Sequence, residues 1–235
     1  MRLFWVGISF TVVLGASGPV FAAPNDCDPR KVLGVSRTIE IDNSAGPRYG
    51  THQYAKTIDL KPGEVVLTFD DGPHPQRTKK VLSALARHCT KATFFPVGSM
   101  ALAYPETLKL VAKSGHTIGT HTYRHTNLQR VGFERGKRAI ERGFAAILKA
   151  NDRPIAPFFR FPYLRPTAKL HKYLSSRDIA ILSVDVISGD TRVKSGRAII
   201  RRTMRLLKRK RKGMISLQEL KVAKAREMTE IREKS

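Results

Sequence analysis

The chain has 235 residues, 41% of them hydrophobic, and carries 43 Lys and Arg against 19 Asp and Glu, a formal net charge of +24. That length fits one sizeable domain with a full hydrophobic core, and only two cysteines exclude a disulfide scaffold. The charge by itself would suggest nucleic acid, but no recognisable nucleic-acid-binding motif accompanies it.

Residues 1–22 read as a signal peptide. Arg2 gives a short basic start, residues 3–14 are almost wholly apolar, and Val20-Phe21-Ala22 ends in a small residue suited to cleavage. The apolar run is shorter than the roughly 18 to 20 residues of a membrane-spanning helix, so cleavage and export to the periplasm or exterior are expected, with an uncleaved anchor as the alternative. No stable membrane insertion is expected after cleavage. Export also argues against nucleic acid and makes an anionic envelope polymer or lipid surface the natural counterpart of the charge. In an oxidising compartment Cys27 and Cys89 can form a disulfide; a buried thiol at Cys89 is the other reading, and both stay open.

Residues 23–63 carry Pro, Gly, Asn and Asp at close intervals and read as an irregular lead-in, with one hairpin around the alternating piece 38–41. From Val65 short β-rich runs alternate with helical periodicity. Strands are expected at 65–69, 92–97, 116–120, 158–161 and 179–185, and a final apolar run at 213–217. Helices are expected at 78–88, 105–113, 133–150, 167–175 and 195–207, with Gly115 as a left-handed cap after the second. The domain so outlined covers 64–217. The tail, 218–235, is charged and helix-prone: from Arg201 to the end 13 Lys and Arg face 4 Glu.

Such alternation implies parallel strands joined by right-handed crossovers, in a closed barrel or an open doubly wound sheet. The polar residues favour the barrel. Asp70 and Asp71, His121 and His125, Arg160, and Asp190 all follow the C-terminal ends of successive strands, the face at which a barrel gathers them around one pocket.

Thr68-Phe69-Asp70-Asp71-Gly72-Pro73 alone is an ordinary turn sequence. Two imidazoles four residues apart, His121 and His125, face the same way on a helical turn. Combined, the two segments offer a hard-oxygen ligand, two nitrogen ligands that suit zinc, and a spare carboxylate for proton handling. Arg160, at a strand end, is suited to hold a carboxylate in fixed orientation.

The chain resembles the polysaccharide deacetylases of the NodB-homology type, carbohydrate esterase family 4, over about residues 65–217. The resemblance rests on Thr68-Phe69-Asp70-Asp71-Gly72-Pro73, Ala92-Thr93-Phe94-Phe95, Gly115-His116-Thr117-Ile118-Gly119 leading to His121 and His125, and Arg160-Phe161-Pro162-Tyr163. It implies an α/β fold, a distorted (β/α)7-8 barrel, here incomplete at its C-terminal end. It implies a metal-dependent enzyme removing N- or O-acetyl groups from chitin-like, peptidoglycan or other polysaccharides. Asp71, His121 and His125 would hold zinc or another divalent metal such as cobalt, and Asp70 would be the general base. Arg160 would orient Asp70, the backbone N–H of Tyr163 would help bind the oxyanion, and Asp190 would orient a catalytic histidine.

The chain departs from the family pattern at Phe161, Leu164 and Thr191, where the family often has proline, glycine and tryptophan. Gly213-Met214-Ile215-Ser216-Leu217 begins the last motif, but Gln218-Glu219 follows where a histidine is expected, and no histidine occurs after His171. The leading expectation is therefore an exported deacetylase, impaired by loss of that motif. The alternative is a catalytically silent protein that keeps the metal pocket and binds an acetylated or anionic glycan.

Overall fold

A computed structural model describes residues 27–28, 31–193 and 195–219. The signal-peptide expectation for 1–22 and most of the tail, from residue 220 on, lie outside the described residues. No described helix is long and apolar enough to cross a membrane.

Among the described residues, eight short strands and six helices follow in the order β1 (Arg48–Tyr49), β2 (Val65–Asp70), α1 (Pro75–Arg87), β3 (Thr93–Phe95), α2 (Gly98–Ala103), α3 (Pro105–Lys113), β4 (Thr117–Ile118), α4 (Phe133–Asn151), β5 (Phe158–Phe159), α5 (Ala168–Ser175), β6 (Ala180–Leu182), β7 (Val186–Ile187), α6 (Gly196–Lys210) and β8 (Gly213–Gln218). All pairings are parallel. One sheet runs β4-β3-β2-β8-β7 and the other β1-β6-β5. A bridge between Thr120 and Phe159 joins β4 to β5, and the chain passes from one sheet to the other at Ser183–Asp185, where Ser183 N–H donates to Tyr49 and Asp185 N–H to Met214. The result is the expected distorted (β/α) barrel.

Strand alternation decides what faces inward. Along β2, Leu67 and Phe69 pack outward against the helices, while Val66 points into the barrel and Thr68 and Asp70 bond to the buried Arg160. Along β8, Ile215 and Leu217 join the outer core, and Met214 and Ser216 face inward. Apolar interior residues therefore fill the N-terminal end of the barrel and polar ones the C-terminal end.

The lead-in contains no hairpin among its described residues. Ile58 and Leu60, with Ile39 and Ile41 against them, instead plug the barrel interior beside Phe95, Leu182 and Met214. β1 pairs in parallel with β6. The two cysteines form a disulfide, Cys27–Cys89, across 62 residues, which resolves the open alternative. Gly115 takes the left-handed cap conformation as expected. The short helix α2 and the strand β7 were not expected: α2 is only six residues, and β7 continues the same apolar run as β6.

Candidate metal centre

The C-terminal ends of β2 and β4 deliver the expected ligands. Asp70 closes β2 and points inward; Asp71 leaves the strand in a left-handed conformation (φ 79°), which turns its carboxylate toward the pocket mouth. His121 and His125 do not lie on a helical turn, contrary to the spacing argument. They sit on an irregular loop in which Thr122 and His125 have positive φ (68° and 51°). Gly143 of α4 permits this: a side chain there would meet the Thr122 backbone at 2.8 Å.

The ligand atoms of Asp71, His121 and His125 all lie within 4.8 Å of one another. His121 Nε2 is 3.8 Å and His125 Nε2 3.3 Å from Asp71 Oδ1. The Arg160 carbonyl, 2.8 Å from His121 Nδ1, accepts its proton and so leaves Nε2 with its lone pair toward Asp71. Burial pushes His121 down to about 4, with Asp70 partly opposing, and it also lowers His125. Both rings are therefore neutral at neutral pH, as metal ligation requires. One carboxylate oxygen and two imidazole nitrogens fit a zinc-like divalent ion with an open position.

Asp70 is 3% exposed. Arg160 Nη1 donates to its Oδ1 (2.7 Å) and Ser216 Oγ to its Oδ2 (2.8 Å). Arg160 is fully buried and locked from every side. It also donates to Thr68 Oγ1 (2.6 Å) and to the carbonyls of Leu182 (2.8 Å) and Ser183 (2.9 Å), and its guanidinium lies 4.2 Å from the Phe95 ring centroid. These bonds hold the Asp70 carboxylate in one orientation.

Tyr163 lies in a short 3-10 turn, Pro162–Leu164, with its ring edge-on to His125 at 4.5 Å between centroids. Tyr163 and Leu164 both have positive φ (59° and 52°). Asp190 departs from the expected role. Its Oδ1 accepts from Ser188 Oγ (2.9 Å) and its Oδ2 from the Gln218 N–H (2.5 Å), so it tethers the end of β8, and no described histidine bonds to it. Burial raises its pKa.

Three contributors were assigned no role in the site from sequence. Ser216 stood inside an apolar run, yet its alternation with Met214 marks it as inward-facing. Gln53, in the lead-in, donates to the Leu164 carbonyl (2.6 Å) and accepts from Ser183 Oγ (2.5 Å), linking the Tyr163 turn to the strand end that holds Arg160; nothing in its sequence context signals this. Glu219, where the histidine motif was expected, is 2% exposed and donates its N–H to the Asp70 carbonyl. Its carboxylate lies over Gly72 so closely that any side chain at position 72 would overlap it. Burial pushes this carboxyl up to about 7; a hydrogen bond from Thr78 opposes, while Asp71 and Asp70 add to the rise.

The polysaccharide deacetylase family matches residues 57–181, more than half of the chain, so the chain belongs to that family. A peptidoglycan-N-acetylglucosamine deacetylase of Bacillus cereus is 46% identical over 80 residues, 34% of this chain and 29% of the relative. A chitooligosaccharide deacetylase of Azorhizobium caulinodans is 36% identical over 109 residues, 46% of this chain and 52% of the relative. A solved peptidoglycan deacetylase of Bdellovibrio bacteriovorus superposes with a TM-score of 0.72 at 27% identity, covering 81% of this chain and 52% of its own. The chain thus spans only about half, or less, of these relatives.

Proposed function

We propose that this protein is an exported, divalent-metal-dependent hydrolase that removes acetyl groups from an acetylated glycan of the cell envelope or exterior. The observation that carries the reading is the convergence of Asp71, His121 and His125 beside the Arg160-clamped Asp70 at one end of the barrel. The relatives' names, peptidoglycan and chitooligosaccharide deacetylases, support the glycan as substrate class. The N-terminal pattern of residues 1–22 supports export.

Asp71, His121 and His125 would hold the ion, with zinc or cobalt suiting the donor set. When bound, it supplies a Lewis acid for the acetyl carbonyl and a water nucleophile usable at neutral pH. Asp70, pinned through both oxygens, is positioned to take a proton at a fixed point without reorganising. Arg160 keeps it there, and the Tyr163 ring walls the side next to His125. Residues 213–235 carry no histidine to protonate a leaving amine, so activity is expected to favour O-acetyl esters over N-acetyl amides, because an alkoxide leaves more readily than an unprotonated amine.

The test is acetate release from an N-acetylglucosamine oligomer and from an O-acetylated xylan, each with metal added and with chelator. Metal-dependent release, faster from the ester, is the expected result. Binding of metal and glycan without release from either substrate would replace this reading with that of a silent glycan-binding protein.

A further inference from the structure

The helix α6 differs from the other five in burying none of its residues. With the two residues after it, it spans 196–212 and carries nine Lys and Arg and no acid. Its C-terminal end meets the lead-in at the N-terminal ends of β2 and β8: Gly63 N–H donates to the Arg211 carbonyl (2.6 Å) and Lys212 Nζ to the Leu60 carbonyl (2.5 Å). There a groove of about 470 Å³ has Pro62, Val65, Met204 and Leu207 as its apolar wall and Lys208 and Arg211 at its rim. Val65 and Met204 are 41% and 39% exposed.

The same pole carries more uncovered apolar surface. Leu33 and Val35, 73% and 52% exposed, flank Gly34, whose N–H bonds to the His88 carbonyl at the C-terminal end of α1. The Cys27–Cys89 disulfide fastens that segment in place. Val65 begins the strand that Asp70 ends, so this pole lies roughly 16 Å along the barrel from the metal centre.

We propose that this pole is a docking surface for an anionic phospholipid bilayer, which holds the protein with its metal centre facing away from the membrane. Cations alone would suit any polyanion. Exposed aliphatic side chains inside a cationic rim suit an interface that offers phosphate at one depth and hydrocarbon at the next. The acid-free end of the run 196–212 supplies complementarity, the nearby Glu64 and Asp59 being paired with Arg37, and the rigid attachment of both apolar segments to the barrel supplies a fixed orientation. The inference does not depend on the deacetylase reading.

Both cysteines of the chain are paired, so a single introduced cysteine can be labelled selectively. Met204→Cys and Leu102→Cys, each carrying a polarity-sensitive fluorophore, are mixed with phosphatidylcholine vesicles with and without phosphatidylglycerol. Leu102 is also exposed but sits on α2, which starts at the opposite pole. The expected result is a blue shift for the Met204 label on anionic vesicles only, and none for the Leu102 label. Lys208→Gln with Arg211→Asn, the latter chosen because Arg211 is left-handed, should weaken vesicle binding by roughly tenfold or more. Arg135→Gln with Arg138→Gln on exposed α4 positions should change it little. Equal shifts from both labels, no shift from either, or interchangeable charge pairs would overturn the proposal. So would tight binding of soluble polyphosphate that leaves vesicle-induced change absent, which marks a polyanion site, or a Met204 shift that tracks protein concentration without vesicles, which marks a second copy.

Discussion

Replacing Arg160 by Met should unfold much of the site before it alters any chemistry. The guanidinium makes four hydrogen bonds, to Asp70, Thr68 and the carbonyls of Leu182 and Ser183, all with no solvent exposure of the arginine. Methionine fills most of the volume but leaves the buried Asp70 carboxylate with Ser216 as its remaining side-chain donor and strands two strand-end carbonyls. Removing one partner of a buried ion pair costs about 3 to 5 kcal/mol, against about 5 to 15 kcal/mol for the stability of a whole domain. With a urea slope of about 2 to 3 kcal/mol/M, the unfolding midpoint should fall by roughly 1 to 2.5 M. Urea titration followed by far-UV circular dichroism measures this. Asp70→Asn in the Arg160→Met background should then cost less than in the parent chain, because the charge it removes is the one already left without its partner. A midpoint loss worth under about 1 kcal/mol in Arg160→Met, or strict additivity in the double variant, would refute the clamp.

The remaining predictions concern the ligands, the turn and the pH response. His121→Ala and His125→Ala should each abolish stoichiometric zinc binding measured by calorimetry; in the parent chain binding should persist as pH falls through 6.5, because burial holds His121 down to about 4. Asp70→Asn should keep the metal while lowering acetate release by about 10² to 10⁴, and retained turnover with bound metal would reassign the base. Gln53→Ala should lower kcat on the order of tenfold or more with metal stoichiometry unchanged, since it frees the left-handed Tyr163-Leu164 turn; an unchanged kcat would make the contact merely structural. His116, pushed down to about 4 by burial and by Lys91, stays neutral when folded while the unfolded chain takes up a proton below about 6.5. Its contribution is therefore full above pH 6.5 and lost as pH falls toward 4, by up to about 3 kcal/mol, and His116→Gln should flatten the stability profile in that window.

Much of the site was legible because its residues end strands. Hydrophobic runs fix where strands stop, and a parallel barrel then places whatever follows them around one mouth, so Asp70, Asp71, His121, His125 and Arg160 could be grouped before any contact was known. The internal alternation of β2 and β8 was equally open to reading, since period two assigns Val66, Thr68 and Asp70 to one face and Met214 and Ser216 to the same interior. The helix α3 falls at its expected bounds because Pro105 starts it and Ser114-Gly115 ends it, and both signals are local.

Other features depend on distances between segments far apart in the chain, which no local pattern encodes. The histidines meet Asp71 through left-handed residues on an irregular loop, a conformation permitted by Gly143 on a helix some twenty residues later. Cys27 and Cys89 could be counted but not paired until the lead-in was laid along the C-terminal end of α1. Gln53 and the Ile58–Leu60 plug acquire their roles only because the barrel interior must be filled and its strand-end carbonyls bonded. Glu219 could be read as the residue in the expected histidine's place; that it is buried against Gly72 was decided by β8 pairing with β2 in parallel register, which brings the end of one strand beside the Asp70 end of the other.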